Sequence, residues 1–345
     1  MKRTVKVGNV LMGGGTVSVQ SMTTVKTSDV EKSVAQILAL EAAGCDVARV
    51  AVSDEADAYA LRSVADGVHI PVVADVHFSA KLAVLAVENG ASKLRINPGN
   101  IGGEREIALV ADCVKAHGVP VRVGANTGSI EKHFLERYGR SAEALVGSAL
   151  YNAEILEKHG VHDIVLSVKA SDVPLTVEAY TMLAERCGYP LHLGVTEAGT
   201  EEMGVVKSSI GIGSLLLKGI GDTIRVSLSA DPVKEVYAAH DILRACGLEK
   251  DYVEVVSCPT CGRCRYDCIG LAERVNARVR TVRKKLKVAV MGCVVNGPGE
   301  AKGCDLGIAG GEEYCVIMRK GRENERVAKE DAERAFFARL DELIG

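Results

Sequence analysis

From about residue 17 to about residue 228, short runs of β-branched and aliphatic residues alternate with longer stretches whose apolar positions recur at helical spacing. The short runs predict strands in VSVQSM ending at Met22, DVARVAV ending at Val52, PVVADVHF ending at Phe78 and SKLRINP ending at Pro98. Four more follow, in PVRVGAN ending at Asn126, DIVLSVKA ending at Ala170, PLHLGVTEAG ending at Gly199 and DTIRVSLSA ending at Ala230. Successive strands lie about 25 to 40 residues apart, a distance that a strand–helix unit fills. The intervening stretches, such as VEKSVAQILALEAAG ending at Gly44, are amphipathic and stop at glycine. Eight such units predict a (β/α)8 TIM barrel. The rival, an open doubly wound sheet, would bring a dinucleotide fingerprint. GIGIGS from Gly211 neither completes that pattern nor follows a strand.

After a further helix from Pro232 to about Gly247 the pattern changes. Strand-like YVEVVSC leads into a run of cysteines, a helix is expected from Ile269 to Lys285, and KVAVMGC makes a second strand. DLGIAGG and YCVIMRK read as two more strands, and a charged helix from Asn324 to Leu343 follows. The reading is therefore an α/β barrel over residues 1–247 and a small α+β domain over residues 248–345.

Composition narrows the classes. Hydrophobic content of 47% with 25% charged residues is ordinary for a soluble globular protein, and a net charge of −3 argues against a general nucleic-acid binder. With no tryptophan and 4% aromatics, the core must be aliphatic, which suits a buried parallel sheet. The opening MKRTVKVGNV lacks a signal-peptide apolar run, and no stretch is apolar enough to span a membrane. The expectation is a cytoplasmic protein without a membrane or nucleic-acid partner. In a reducing compartment, eleven unevenly placed cysteines point to metal rather than disulfides.

The expected strand ends carry Arg49, Asp75 and His77, Arg95 and Asn97, Arg122 and Asn126, Lys169, Glu197, and Arg225 with Ser227. In a barrel these ends converge on the active-site face. A lone arginine there is ordinarily half of a structural salt bridge. Five cations from different strands are costly to bury unless an anion balances them, and guanidinium forks match phosphate oxygens. A diphosphate-sized substrate is expected. Glu197 either pairs with one of the cations or exchanges a proton with the substrate. Asp75 and His77 could equally pack or touch the substrate.

The run CPTCGRCRYDC sets Cys258, Cys261, Cys264 and Cys268 at ferredoxin-like spacing, with Ile269 where proline would follow. Zinc is the inorganic rival. Further on, MGCVVNGPGEAKGC places Cys293 before a dense turn and Glu300 after it, so both can face a common point. Oxygen holds iron more weakly than thiolate does, so three thiolates and a carboxylate would leave one iron able to exchange its ligand.

With VQSMTT, VADVHF, LRINPGN, HLGVTEAG, GIGDTIRVSL, SCPTCGR and GCVVNGPGE in this order, the chain resembles the 4-hydroxy-3-methylbut-2-enyl diphosphate synthases. The resemblance covers nearly the whole chain. It implies a barrel followed by an iron–sulfur domain, and reductive ring opening of 2-C-methyl-D-erythritol 2,4-cyclodiphosphate with two electrons and loss of water. It implies a 4Fe–4S cluster on Cys258, Cys261, Cys293 and Glu300. Arg49, Arg95, Asn97, Arg122, Asn126, Lys169, Arg225 and Ser227 would hold the diphosphate, with Glu197 as the acid. It further implies a ferredoxin or flavodoxin electron donor and a head-to-tail homodimer in which one subunit's cluster caps the other's barrel. Cys264 and Cys268 stand outside the family pattern and read as bystanders. Two other readings stay open: an electron carrier with four thiolates from Cys258 to Cys268, and a metal-free pterin-binding barrel.

Overall fold

The computed structural model describes residues 3–345, in two compact units that divide after Leu248. The first unit opens with a hairpin, β1 (Val5–Val7) and β2 (Val10–Met12), joined by Gly8 and Asn9. The sequence reading did not include it, although a glycine–asparagine turn between alternating apolar residues is a hairpin signal. The barrel strands follow: β3 (Ser18–Met22), β4 (Val47–Ala51), β5 (Val72–Asp75), β6 (Lys93–Ile96) and β7 (Val121–Asn126). The last three are β8 (Ile164–Lys169), β9 (His192–Leu193) and β10 (Thr223–Ile224). They pair in parallel in the order β8-β7-β6-β5-β4-β3-β10-β9, and a bridge between Leu166 and Leu191 joins the two ends. This is the expected TIM barrel.

The last two strands are much shorter than expected. Beyond Leu193 the chain leaves the ladder through Gly194, through Glu197 with φ +51°, and through Gly199 with φ +104°. Because β10 pairs with β9, it shortens too. Helices begin at caps just past the strand ends: Asp54, Ser79, Asp172 and Asp231 each accept an N–H from the first turn.

Side-chain alternation sorts the barrel strands into two faces. The outer face is aliphatic: Val50, Ala74, Leu94, Val123, Leu166 and Ile224 all belong to the large core shared with the helices. Within the barrel, aliphatic packing is confined to the floor. There Val5, Val7 and Met12 of the hairpin close on Val47, Val73 and Val165. Beside and above them lie Gln20, Lys93, Arg122, Ser167 and His192, all buried. Barrel interiors are ordinarily filled with branched aliphatic residues. This one is polar.

The second unit is a five-stranded sheet in sequential order, β11 (Val253–Ser257), β12 (Leu286–Met291), β13 (Leu306–Gly310), β14 (Tyr314–Arg319) and β15 (Glu325–Ala328). The first three strands are parallel and the last two antiparallel. Helices Cys268–Val279 and Ala332–Ile344 pack over one apolar face. Two expectations are corrected. The helix expected to reach Lys285 stops at Val279, ahead of the like charges Arg280, Arg283, Lys284 and Lys285. The helix expected from Asn324 starts at Ala332, because Glu325–Ala328 pairs with β14 as a charged edge strand.

Candidate active site

Two sites carry the polar chemistry, one in each unit. At the C-terminal face of the barrel, Arg49 and Arg95 share Asp75. Arg95 Nη1 stands 3.1 Å from Asp75 Oδ1, and Arg49 Nε stands 3.7 Å from Oδ2. Burial pushes the Asp75 carboxyl up, but Arg49, His77 and Arg95 outweigh it and hold the group well below the usual carboxylate range. Asp75 is thus a buried counter-ion. His77 lies beyond the end of β5 and is largely exposed, with its ring against Arg95 Nη1. Burial, with Arg225 and Arg95 close by, brings the Arg49 guanidinium down to about 10 despite the pull of Asp75.

Arg122 finds no acid: its Nη1 donates to Ser167 Oγ at 2.6 Å, and its Nε is buried without a partner among the described residues. Lys169 is buried, and its amine makes no hydrogen bond or ion pair among the described residues. Burial and the surrounding Arg122, Arg49, Arg225 and Arg95 push its amine well below the usual lysine range. Gly194 makes room for it, since a Cβ there would stand 2.6 Å from Lys169 Nζ and 2.8 Å from the Arg225 carbonyl oxygen. Arg225 is different. Its Nε and Nη2 donate to Glu235 at 3.3 and 3.2 Å, and Glu235 also accepts from Ser21 Oγ and the Leu228 N–H.

Three of the five cations, Arg49, Arg95 and Arg225, thus have carboxylate partners, whereas Arg122 and Lys169 have none among the described residues. Five cations still face two carboxylates. Guanidinium groups keep their charge at neutral pH, so the imbalance is a standing demand for an anion. Asn97 and Asn126 stand at the same strand ends, and Asn97 Nδ2 is a further buried donor without a partner among the described residues. Ser227 is half-buried, two residues beyond Arg225.

Glu197 is exposed and forms no ion pair among the described residues. Its left-handed φ of +51° is one of two such values among the described non-glycine residues; the other is Thr260, at +57°. Side chains rarely adopt this region without a local reason, and such residues gather at functional sites. Thr260 lies between Cys258 and Cys261.

In the second unit, Cys258 follows β11 and Cys293 follows β12, and the two strands are parallel neighbours. Their C-terminal ends form one rim. A cavity of about 200 Å3 there is lined by Cys258, Cys261, Cys293 and Glu300, together with Thr260 and Arg263. The Gly292 N–H donates to Cys258 Sγ at 3.1 Å. The backbone N–H groups of Asn296 and Val295 draw the half-buried Cys293 thiol below its ordinary value, with a smaller contribution from Arg263. N–H donors aimed at sulfur stabilise thiolates, the form that binds iron. Among the described residues, no three His, Cys, Asp or Glu side chains close on a single-ion site of the kind tetrahedral zinc requires. The four line a cavity instead, and each thiolate of a cluster binds its own iron. The donor set fits a cluster.

Cys268 does not join that wall. It is buried against the apolar core with its thiol toward the Val290 carbonyl oxygen, and burial pushes it up to about 12. Cys264 donates to the Tyr266 carbonyl oxygen and lies outside the cavity lining. Both thiols lie near Cys258, behind the cavity wall rather than on it.

A model of the GcpE TIM-barrel domain matches residues 2–240, and one of the GcpE protein C-terminal domain matches residues 254–342. The chain belongs to the GcpE family. It is 53% identical to a 4-hydroxy-3-methylbut-2-en-1-yl diphosphate synthase (flavodoxin) of Caldanaerobacter subterraneus subsp. tengcongensis, over 100% of this chain and 98% of that protein. A relative of the same name from Desulfotalea psychrophila is 51% identical over 99% of this chain and 95% of its own length. GcpE homologues are iron–sulfur enzymes. Among solved structures, the dihydropteroate synthase of Stenotrophomonas maltophilia covers 71% of this chain and 97% of its own, with a TM-score of 0.52 at 17% identity. That likeness shows the barrel fold alone. No helix among the described residues is long and apolar enough to cross a membrane.

Three residues of the GcpE barrel escaped the sequence reading. Glu235 lies on the buried side of helix Pro232–Ala245, with Val236, Ala239 and Leu243. His192 sits in β9 with its Nε2 buried and unpartnered among the described residues. Burial, with Lys169 and Arg122 close by, keeps its imidazole neutral. Lys93 opens β6 and is fully buried. Neither His192 nor Lys93 differs in pattern from an ordinary strand residue.

Proposed function

We propose that this protein reductively opens 2-C-methyl-D-erythritol 2,4-cyclodiphosphate to 4-hydroxy-3-methylbut-2-enyl diphosphate, taking up two electrons and releasing water. The observation that carries the reading is the pairing of a cation-rich barrel mouth with a separate wall of three cysteines and a glutamate. Lys169 and Arg122, the cations without carboxylate partners, receive the phosphate oxygens first. Arg49, Arg95 and Arg225 add donors that Asp75 and Glu235 hold in fixed orientation. Preset donors stabilise charge as it develops on the departing phosphate, without reorganising. Asn97, Asn126 and Ser227 fix the register of the ring.

Cys258, Cys261, Cys293 and Glu300 would hold a 4Fe–4S cluster, which supplies the electrons singly when bound. Glu197, exposed and without a counter-ion, is placed to give up a proton so that the substrate oxygen leaves as water. Its left-handed backbone points to a side chain whose aim is set by more than packing.

The electron donor is a small redox protein of the flavodoxin or ferredoxin class, and the names of the relatives favour flavodoxin. The acting form is a head-to-tail homodimer in which one subunit's cluster domain serves its partner's barrel. Mixing Cys293→Ser subunits with Glu197→Gln subunits restores activity if that holds, whereas an inactive mixture rules out service in trans. The reaction itself is tested by anaerobic turnover of the cyclic diphosphate with reduced flavodoxin. Conversion to the open-chain diphosphate is expected, and a cluster-loaded protein that returns the substrate intact would overturn the assignment.

A further inference from the structure

Lys93 has no place in the chemistry above, and its surroundings are unusual. It is the first residue of β6, two before Arg95, so both side chains point into the barrel, with Lys93 lower. It is 0% exposed. Its Nζ stands 3.2 Å from Gln20 Oε1 on β3 and 3.6 Å from Met12 Sδ on the hairpin that closes the floor. No carboxylate pairs with it among the described residues.

The charged groups that act on its proton repel it, and the carboxylate of Asp75, two residues beyond Val73 on β5, is taken up by Arg49 and Arg95. Arg49 reaches it from β4 and Arg122 from β7, and the neutral His192 of β9 feels its field. Lys169 on β8 belongs to the same interior, and β5 contributes the apolar Val73 at the level of Lys93. The Gln20 amide is itself incompletely satisfied, with Nε2 buried and unpartnered among the described residues. A buried ammonium with one amide oxygen as acceptor and only cations nearby is a poor resting state. Burial first, then Arg122 and Arg49, place the amine well below the usual lysine range.

An anion seated among those guanidinium groups reverses the field at the floor. We propose that binding of the diphosphate substrate draws a proton onto Lys93 Nζ, so that the floor of the barrel changes charge with occupancy of the mouth. The inference rests on the diphosphate reading given above. Lys93 then acts as a positioning residue: it holds the loaded mouth electropositive without touching the substrate, and it relaxes to a neutral amine when product leaves.

The test is calorimetric titration of the oxidised, cluster-loaded protein with the cyclic diphosphate, without reductant, in buffers of different ionisation enthalpy. The wild type is expected to take up about one proton more than Lys93→Met at the same alkaline pH, because a neutral amine gains charge on binding. Equal counts in the two proteins overturn the proposal. If Lys93→Met does not fold, Lys93→Arg decides, since a guanidinium is charged throughout the titration: the extra uptake must vanish there, and a count equal to that of the wild type overturns the proposal. A wild type that binds no cyclic diphosphate sinks the substrate reading and this inference with it. Binding with equal counts sinks the inference alone.

Discussion

Arg225 and Glu235 grip each other through both ends of their side chains, Nε to Oε2 at 3.3 Å and Nη2 to Oε1 at 3.2 Å. The pair ties the end of β10 to the helix that follows it, and Ser21 on β3 completes the clasp at 2.9 Å. Truncating one member of a buried pair leaves the other charged and unpartnered, at a cost of about 3–5 kcal/mol. Glu235→Ala is therefore expected to lower unfolding free energy by about that amount. It should also weaken binding of the diphosphate, because Arg225 loses its orientation. Denaturant titration and binding calorimetry read the two effects separately.

Asp75 gives the fold an acid-side pH dependence. Its native carboxyl lies below the ordinary value of 3.8, so above that value the native state binds the carboxylate more favourably than the unfolded chain does. Its stabilisation is fully present above the unfolded value and is lost as pH falls through the native one. Asp75→Asn should be less stable than wild type at neutral pH, and the two stability curves should converge as the medium is acidified below about pH 4. Thermal unfolding across that range measures the convergence.

Gly194 is required both by the site and by the backbone beside it. A methyl group there would meet Lys169 Nζ and the Arg225 carbonyl oxygen, both well inside contact distance. Gly194→Ala should displace Lys169 and push back the chain at Arg225, lowering stability and weakening diphosphate binding about tenfold, the equivalent of about 1.4 kcal/mol. Calorimetry alongside thermal unfolding reads the two losses separately.

In the second unit the cysteines divide by placement. Cys293 stands on the wall of the cavity with N–H groups turned toward it, whereas Cys268 is buried in the core. Anaerobically reconstituted Cys293→Ser should carry less iron and sulfide per chain than wild type. Cys268→Ser should keep its iron and lose stability instead, because a hydroxyl replaces a buried thiol. Metal and sulfide analysis with thermal melts distinguishes the two.

The barrel was legible because its strands are regular where they are long. Above the floor, β7 and β8 alternate between aliphatic residues that face the helices and small or polar ones that face inward, and β4 and β8 end three residues before a helix cap. β9 and β10 shrink to two residues each because Gly194 and the left-handed Glu197 bend the chain away, a conformation that residue type does not announce. The edge strand β15 was read as helix because charged residues suit an exposed edge and a solvated helix face alike. The cationic mouth showed itself as arginine and lysine at strand ends. Its counter-ions did not: Asp75 could have been a substrate ligand, and Glu235 comes from a helix that the strand pattern never examines. Lys93 stayed hidden because a lysine at the start of a strand is ordinarily solvated, whereas here the barrel interior and the hairpin from Val5 to Met12 bury it.

The two sites act together only if substrate held by the barrel's cations is sensed at the cysteine–glutamate wall. Electron paramagnetic resonance of the reduced, cluster-loaded protein, recorded with increasing cyclic diphosphate, tests this most directly. The spectrum should change as the mouth fills, and in Lys169→Met the same change should need a higher concentration. A spectrum of the fully loaded wild type that ignores saturating cyclic diphosphate would contradict the account.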